Sequence, residues 1–455
     1  MNNKTHQQLS FDSLFVHLEE ETKATNAITT TKPQTADYKR NRQTFPIDLI
    51  IDFEKFIGYI EQHQIKLTKT KRYIAKQHLP YINEQLSLQA ADVTHNSQQE
   101  YYPYIHFLFH LALSGELLLR HEDGLIITDR WHLFKELSET EKYCFLLEIF
   151  WVDLDWLSLS NQADYRSVPM MLPDVLDKLI DERAEHSLQL DRNPLLASLI
   201  SGWHYFLLYF EWLGLWICET DQDKMDCHKV SSYYFAKTIT LTTFGTKVIP
   251  ILMHERELYQ WNIPIRRWTC GEWNPVPGTP IFDEVDSTDE KQTPDQFYKA
   301  FVPLFPGGDL TGSLPRYDGN FVSGTYIFKV SFDTNVWRKV VLTASHTMED
   351  LHHIIIKSYQ FYDDHLYSFF LDGRKWSDYC VVAPLGDADK PSAAEVKIGS
   401  IGLRQGQQFM YLFDYGDEWT FTVTVDDLQE GESQGMMPYI KEEKGHGPQQ
   451  YVDLD

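Results

Sequence analysis

The stretch Tyr411-Leu-Phe-Asp-Tyr-Gly-Asp-Glu-Trp419 constrains the fold of this chain most. It carries an aromatic strand into an acidic turn and on into a second alternating run, Thr420-Phe-Thr-Val-Thr-Val425. Trp419, Phe421, Val423 and Val425 fall on one face of that run and threonines on the other, the period-two pattern of a strand with one buried face. The expectation is a hairpin. Gly416 is expected to supply the positive φ of its turn, and Asp414 and Asp417 to accept hydrogen bonds from nearby backbone amides.

With 455 residues, of which 43% are hydrophobic, the chain exceeds what one core usually supports, and two to four domains are expected. No apolar run reaches the roughly 18 to 20 residues of a membrane span, and the start, Met1 to His6, lacks a signal-peptide core. A cytoplasmic protein without membrane partners is expected. Cys144, Cys218, Cys227, Cys270 and Cys380 are odd in number and never form a C-x-x-C pair. Reduced, mostly buried thiols are expected, with no structural metal and no cofactor. The net charge of −25 is unevenly spread: residues 41–120 carry 8 basic and 8 acidic side chains, whereas residues 283–455 carry 14 and 29. The C-terminal part should repel nucleic acid, which confines any such contact to the first part of the chain.

The organisation expected is multidomain, with a mainly α N-terminal region followed by a C-terminal α+β domain. Residues 1–40 read as a disordered tail, with a docking helix expected over Phe11–Leu18. Residues 41–100 read as a helical segment, since Ile57, Ile60, Ile74, Leu79, Ile82 and Leu86 recur near helical spacing. That segment holds the one concentrated basic stretch, Lys66 to Lys76, and a helix there would put Lys69, Arg72 and Lys76 on one face able to meet phosphate. Residues 101–265 read as two degenerate winged-helix-like units. The first runs from a helix at Pro103–Ser114 through strands Leu117–Arg120 and Leu125–Thr128 to a helix at Trp131–Leu137. The second runs from a helix at Trp203–Trp212 through strands Leu215–Cys218 and Thr238–Thr242 to a helix at Gly245–Leu252. The helices before the hairpins are apolar nearly all round, unlike a helix that reads base edges, which points to a scaffold. Residues 266–322, rich in proline and glycine, read as a linker. In 323–455, strands at Tyr326–Phe332 and Trp337–Leu342 precede a helix opened by a Thr347/Asp350 capping box and burying Met348, Leu351, Ile355 and Tyr359.

Four spaced motifs in this last region carry a family resemblance: Val336-Trp-Arg338, Leu351-His352 with Ile355, His365-Leu366 with Phe369, and Asp414-Tyr-Gly-Asp417 with Trp419. Residues 326–428 resemble the plasmid pRiA4b Orf-3-like family, and Gly445-His-Gly-Pro-Gln-Gln-Tyr451 is similar to a tail of some relatives. The resemblance implies a protein associated with plasmids or mobile elements and supplies no established activity. Phe361 stands where the family usually has tryptophan, and the tail lacks the acidic residue common after its proline. The signature positions are Trp337, Arg338, His352, His365, Asp414, Gly416, Asp417 and Trp419.

Three functional readings follow. The first is a non-enzymatic interaction protein that docks a protein partner, with no catalytic residue assigned, because no P-loop, dinucleotide-binding glycine pattern or Gly-x-Ser-x-Gly elbow is present. The second is a nucleic-acid-binding accessory using Lys69, Arg72 and Lys76. The third is a metal-dependent enzyme built on Asp414 and Asp417 with His352 and His365, since carboxylates beside histidine can ligate metal or transfer protons. His106 and His110 have the spacing of a zinc pair but Phe107 where the protease motif has glutamate.

Overall fold

Apolar side chains in two large clusters, with a small third around Phe370, Cys380, Val382 and Leu412, divide the computed structural model, which describes residues 34–35, 45–91, 93–121, 124–159, 167–227, 233–273, 275–280, 296–316, 321–431 and 437–451. Apart from Gln34 and Thr35, the expected N-terminal tail, including Phe11–Leu18, lies outside the described residues.

The first cluster gathers helices whose apolar stripes face one another. Helix α1 (Ile47–Gln62) buries Leu49, Ile50, Phe53, Phe56, Ile57 and Ile60 on a single stripe. A short α2 (Leu79–Gln85) packs beside it. Helix α3 (Pro103–Ser114) is buried on nearly every side, as its composition predicted. It leads into the two-stranded pair β1 (Leu118–His121) and β2 (Gly124–Ile127), then α4 (Asp129–Glu136). Helix α5 (Glu139–Glu148) opens with the Ser138/Glu141 capping box that the sequence announces. After α6 (Ser167–Ile180) and β3 (Ser187–Gln189), a second aromatic helix, α7 (Tyr205–Trp212), precedes β4 (Trp216–Thr220), β5 (Ala236–Leu241) and α8 (Gly245–His254). The first expected helix-strand-strand-helix order is present, whereas in the second a short helix, Gln222–Cys227, separates the two strands where a loop was expected. The two units also differ in their sheets, because β3 joins the second pair to make a three-stranded sheet in the order β3-β5-β4. Beyond α9 (Ile263–Cys270), Phe297, Phe301, Leu310 and Leu314, from the Pro/Gly-rich stretch, are buried in this same cluster.

The basic stretch corrects an expectation. Residues 66–76 are not helical; Leu67 pairs with Ile74, Lys66 bridges Gly124, and Arg72 takes a φ of 55°. Leu67 and Ile74 are buried across a tight loop, and that satisfies the apolar spacing that reads as helical in the sequence. Lys69, Arg72 and Lys76 consequently share no helix face.

The second cluster is an antiparallel seven-stranded sheet backed by one helix. The strands are β6 (Gly324–Ser331), β7 (Trp337–Thr343), β8 (Tyr367–Phe370), β9 (Cys380–Val382), β10 (Gln408–Phe413), β11 (Trp419–Glu430) and β12 (Tyr439–Lys444), in the order β9-β8-β10-β11-β6-β7-β12. Helix α10 (Met348–Tyr359) starts at the Thr347/Asp350 capping box and buries Met348, Leu351, Ile355 and Tyr359. The expected hairpin is β10–β11, with Tyr411 opposite Phe421 and Phe413 opposite Trp419. No helix among the described residues is long and apolar enough to cross a membrane. Cys144, Cys218 and Cys380 are buried, Cys227 is exposed, and all five cysteines are free thiols.

Candidate functional site

The turn between β10 and β11 is built differently from its sequence reading. Gly416 does not take positive φ; Asp414 and Glu418 do, at 56° and 55°. Asparagine and aspartate tolerate this region best after glycine, and Asp414 gains a local compensation. Its Oδ1 accepts from the Gly416 amide at 2.8 Å and from Asp417 at 3.4 Å. Asp414 thus caps the turn as expected, whereas the Asp417 side chain is exposed.

Burial and hydrogen bonds fix the histidines. His352, on α10, is 1% exposed, with its ring stacked 3.6 Å from that of Tyr367. Its Nδ1 meets the Tyr411 hydroxyl at 2.7 Å and its Nε2 meets Asp363 Oδ1 at 2.9 Å. Burial lowers its pKa to about 4 despite the opposing pull of Asp363, so the imidazole is neutral near pH 7. His353, next on the helix, reaches Asp363 Oδ2 at 3.7 Å. The ligand-type atoms of His352, His353 and Asp363 lie within 4.8 Å of one another.

His365 stands at the mouth of the same corner. Its Nε2 is 3.0 Å from the Tyr451 hydroxyl, 3.4 Å from Asp414 Oδ2 and 3.7 Å from Asp364 Oδ1. The Tyr451 hydroxyl donates to Asp364 Oδ2 at 2.7 Å, and that bond pushes its pKa up to about 12. Gln450 clamps the loop from below: its Oε1 accepts from the Tyr362 amide at 2.6 Å and its Nε2 donates to the Tyr362 carbonyl at 3.2 Å. The role of the tail is therefore to pin the Phe361–Leu366 loop against the hairpin. The structure brings His365 and Asp414 together but gives His352 to Asp363 and Tyr411. Sequence reading missed His353, Asp363, Asp364, Gln450 and Tyr451, although the run Asp363-Asp364-His365 directly precedes a motif residue.

The other signature residues are structural. Arg338 is buried, donating through Nε to the Ser358 carbonyl at the end of α10 and through Nη1 to the carbonyls of Lys444 and Gly445 at 3.0 and 3.1 Å. It ties helix, sheet edge and tail together. Trp337 lies under Lys329, whose Nζ is 5.0 Å from the ring, and half-buried Trp419 packs edge-on against Phe361 at 5.2 Å. Lys69 is exposed, and Lys76 donates to Asn96 at 2.7 Å. His106 and His110 are buried ring to ring, 4.4 Å apart.

A corner of this kind, with histidine rings held by carboxylates and phenols and no serine or cysteine among the described partners of His352 or His365, lacks a nucleophile-base pair. It suits binding. Residues 326–453 match the family model described as plasmid pRiA4b ORF-3-like protein, and this C-terminal region is of that family. Among solved structures, the chain is similar to the crystal structure of the protein of unknown function MM3350 from Methanosarcina mazei Go1, with 21% identity over 28% of this chain and 72% of that one, at a TM-score of 0.24. No curated protein matches the chain.

Proposed function

We propose that this is a non-enzymatic interaction protein whose C-terminal domain docks a basic segment of a protein partner on the corner around His365. The observation that carries this reading is the pairing of charge with exposed apolar surface. Asp363, Asp364 and Asp417 are exposed there, together with Tyr362 at 70%, Tyr451 at 41% and Leu366 at 40%. Acidic groups around aromatic anchors favour a lysine- or arginine-bearing segment with its own apolar side chains. The buried ring stack beneath provides a rigid floor, which lowers the ordering cost of binding. An association with plasmids or mobile elements belongs to the same proposal and rests on the family description. The burial of α3 and α7 supports a scaffold role for the N-terminal units, because these helices present no side chains to a groove. Binding of a fluorescent Lys/Arg-rich peptide bearing one tyrosine, read by anisotropy, tests the reading. Affinity should fall with salt and drop about tenfold in Asp363→Asn/Asp364→Asn, in keeping with about 1.4 kcal/mol. No binding at low salt would remove it.

A second reading follows from the close approach of His352, His353 and Asp363. Two imidazoles and a carboxylate form a common ligand set for zinc or another first-row metal, with the Tyr411 hydroxyl placed to accept from His352 Nδ1–H. This moves the metal site from the Asp414/Asp417 turn to the helix. Titration with Co(II), following its visible d–d bands, would show tetrahedral intensity lost in His353→Ala if this reading is right. The nucleic-acid alternative would have to use the exposed loop lysines and not a helix face, because residues 66–76 are not helical.

A further inference from the structure

At the junction of the two regions lies a cavity of about 490 Å³, lined among others by Lys71, Tyr73, His110, Ser114, Arg120 and Arg374. Its charge runs against the net −25 of the chain. Lys71 pairs with Glu100, and Arg374 with Asp155 and, at 3.7 Å, Asp372. Arg120 has no carboxylate partner among the described residues. Its Nε is buried without a hydrogen-bond partner there, and its guanidinium lies 5.3 Å from the Phe109 ring. Burial and the neighbouring Arg72 lower its pKa to about 10, which leaves it cationic at neutral pH.

His110, 6% exposed, supplies a second unmet group. Burial holds its pKa well below the ordinary value, so the ring is neutral. Ser158 Oγ donates its proton to the Asp155 carbonyl at 2.6 Å and lies 3.2 Å from His110 Nδ1. The proton of the ring therefore sits on Nδ1, and Nε2 is left as an acceptor, with no partner among the described residues. A half-buried cation whose Nε is buried and a buried acceptor, both lining one cavity, carry a desolvation cost that a ligand can relieve.

We propose that this cavity binds a small phosphate-bearing ligand, held by Arg120 and Lys71 from the helical region and Arg374 from the α+β region, with His110 Nε2 accepting from a hydroxyl of the ligand. A guanidinium matches the fork of phosphate oxygens, and the three cations around one open cleft add their attraction. The volume falls in the range of small-molecule sites. Because both regions contribute, ligand occupancy would also tighten the junction, where Arg404 pairs with Glu116 and Gln405 Nε2 meets His121 at 3.0 Å.

The test is calorimetric titration of the full chain with inorganic phosphate and with sulfate at pH 7 and low ionic strength. Phosphate carries a proton to give to His110 and sulfate does not. Saturable one-site phosphate binding is expected, with sulfate at least tenfold weaker. Arg120→Gln should weaken phosphate at least tenfold, and His110→Phe should narrow the gap between the two anions. Lys71→Gln, at a side chain 54% exposed whose partner Glu100 is buried, is compared only after its melting temperature shows it folded, and Lys69→Gln on the same loop should bind as wild type. Absence of saturable phosphate binding, equal affinity for sulfate, or unchanged binding by folded Arg120→Gln and Lys71→Gln would overturn the proposal.

Discussion

The acidic corner around His365 and the basic cavity around Arg120 partner their histidines in opposite ways, although the Tyr367 hydroxyl and Trp419 Nε1 in the corner are also buried without a partner among the described residues. In the corner each histidine has partners: His352 has Tyr411 and Asp363, and His365 has Tyr451 and Asp414. In the cavity Arg120 Nε and His110 Nε2 have none among the described residues. Partnered histidines rigidify the floor of the corner, whereas the unmet groups of the cavity are those that the proposed ligand would complete.

The largest expected effect breaks the floor of the corner. Phe413 is fully buried and within ring contact of His352, Phe361 and His365, so Phe413→Ala should cost about 3 to 5 kcal/mol, read as a lower urea midpoint for the C-terminal domain. An unchanged midpoint would show that the corner does not depend on its aromatic base.

Acid comes next and tests what the two sites share. The folded pKa of His352 is lowered from 6.5 to about 4, so between these values the unfolded chain binds the proton and the folded one resists it. Stability should therefore fall as pH drops from about 6.5 towards 4, by about 2 to 3 kcal/mol for this group, and be fully present above pH 6.5. Neutral, buried His106, lowered to about 3, acts in the same direction. His352→Gln should flatten the profile measured by urea denaturation between pH 4.5 and 7.

Tyr411→Phe converts a satisfied histidine into one like His110. Removal of the hydroxyl 2.7 Å from His352 Nδ1 should cost about 1 to 3 kcal/mol in thermal or chemical denaturation. The smallest effect is at the rim, where Asp364→Asn, at a side chain 48% exposed, should change stability by no more than about 1 kcal/mol while weakening peptide binding. A larger loss of stability would mean that the rim holds the domain together and is not a free surface.

Local rules carried much of this molecule. The capping boxes at Ser138 and Thr347, the alternation of β11 and the aromatic helices α3 and α7 were legible because each depends on neighbours in sequence. The loop at 66–76 was misread because buried Leu67 and Ile74 mimic helical spacing while pairing across a turn. Gly416 was misread because the left-handed residues of its turn are Asp414 and Glu418, which the wider hairpin selects.

By itself the sequence determined the α+β hairpin domain, its family and the helical character of what precedes it, since periodicity and capping are written in consecutive residues. Only the tertiary structure decided which charges meet. Asp363 reaches His352 from beyond the end of α10, Tyr451 reaches His365 from 86 residues away, and Arg374 closes a cavity against Arg120 across the junction. Those pairings depend on how the sheet edge, the tail and the helical core come together, and no short stretch of the chain contains that information.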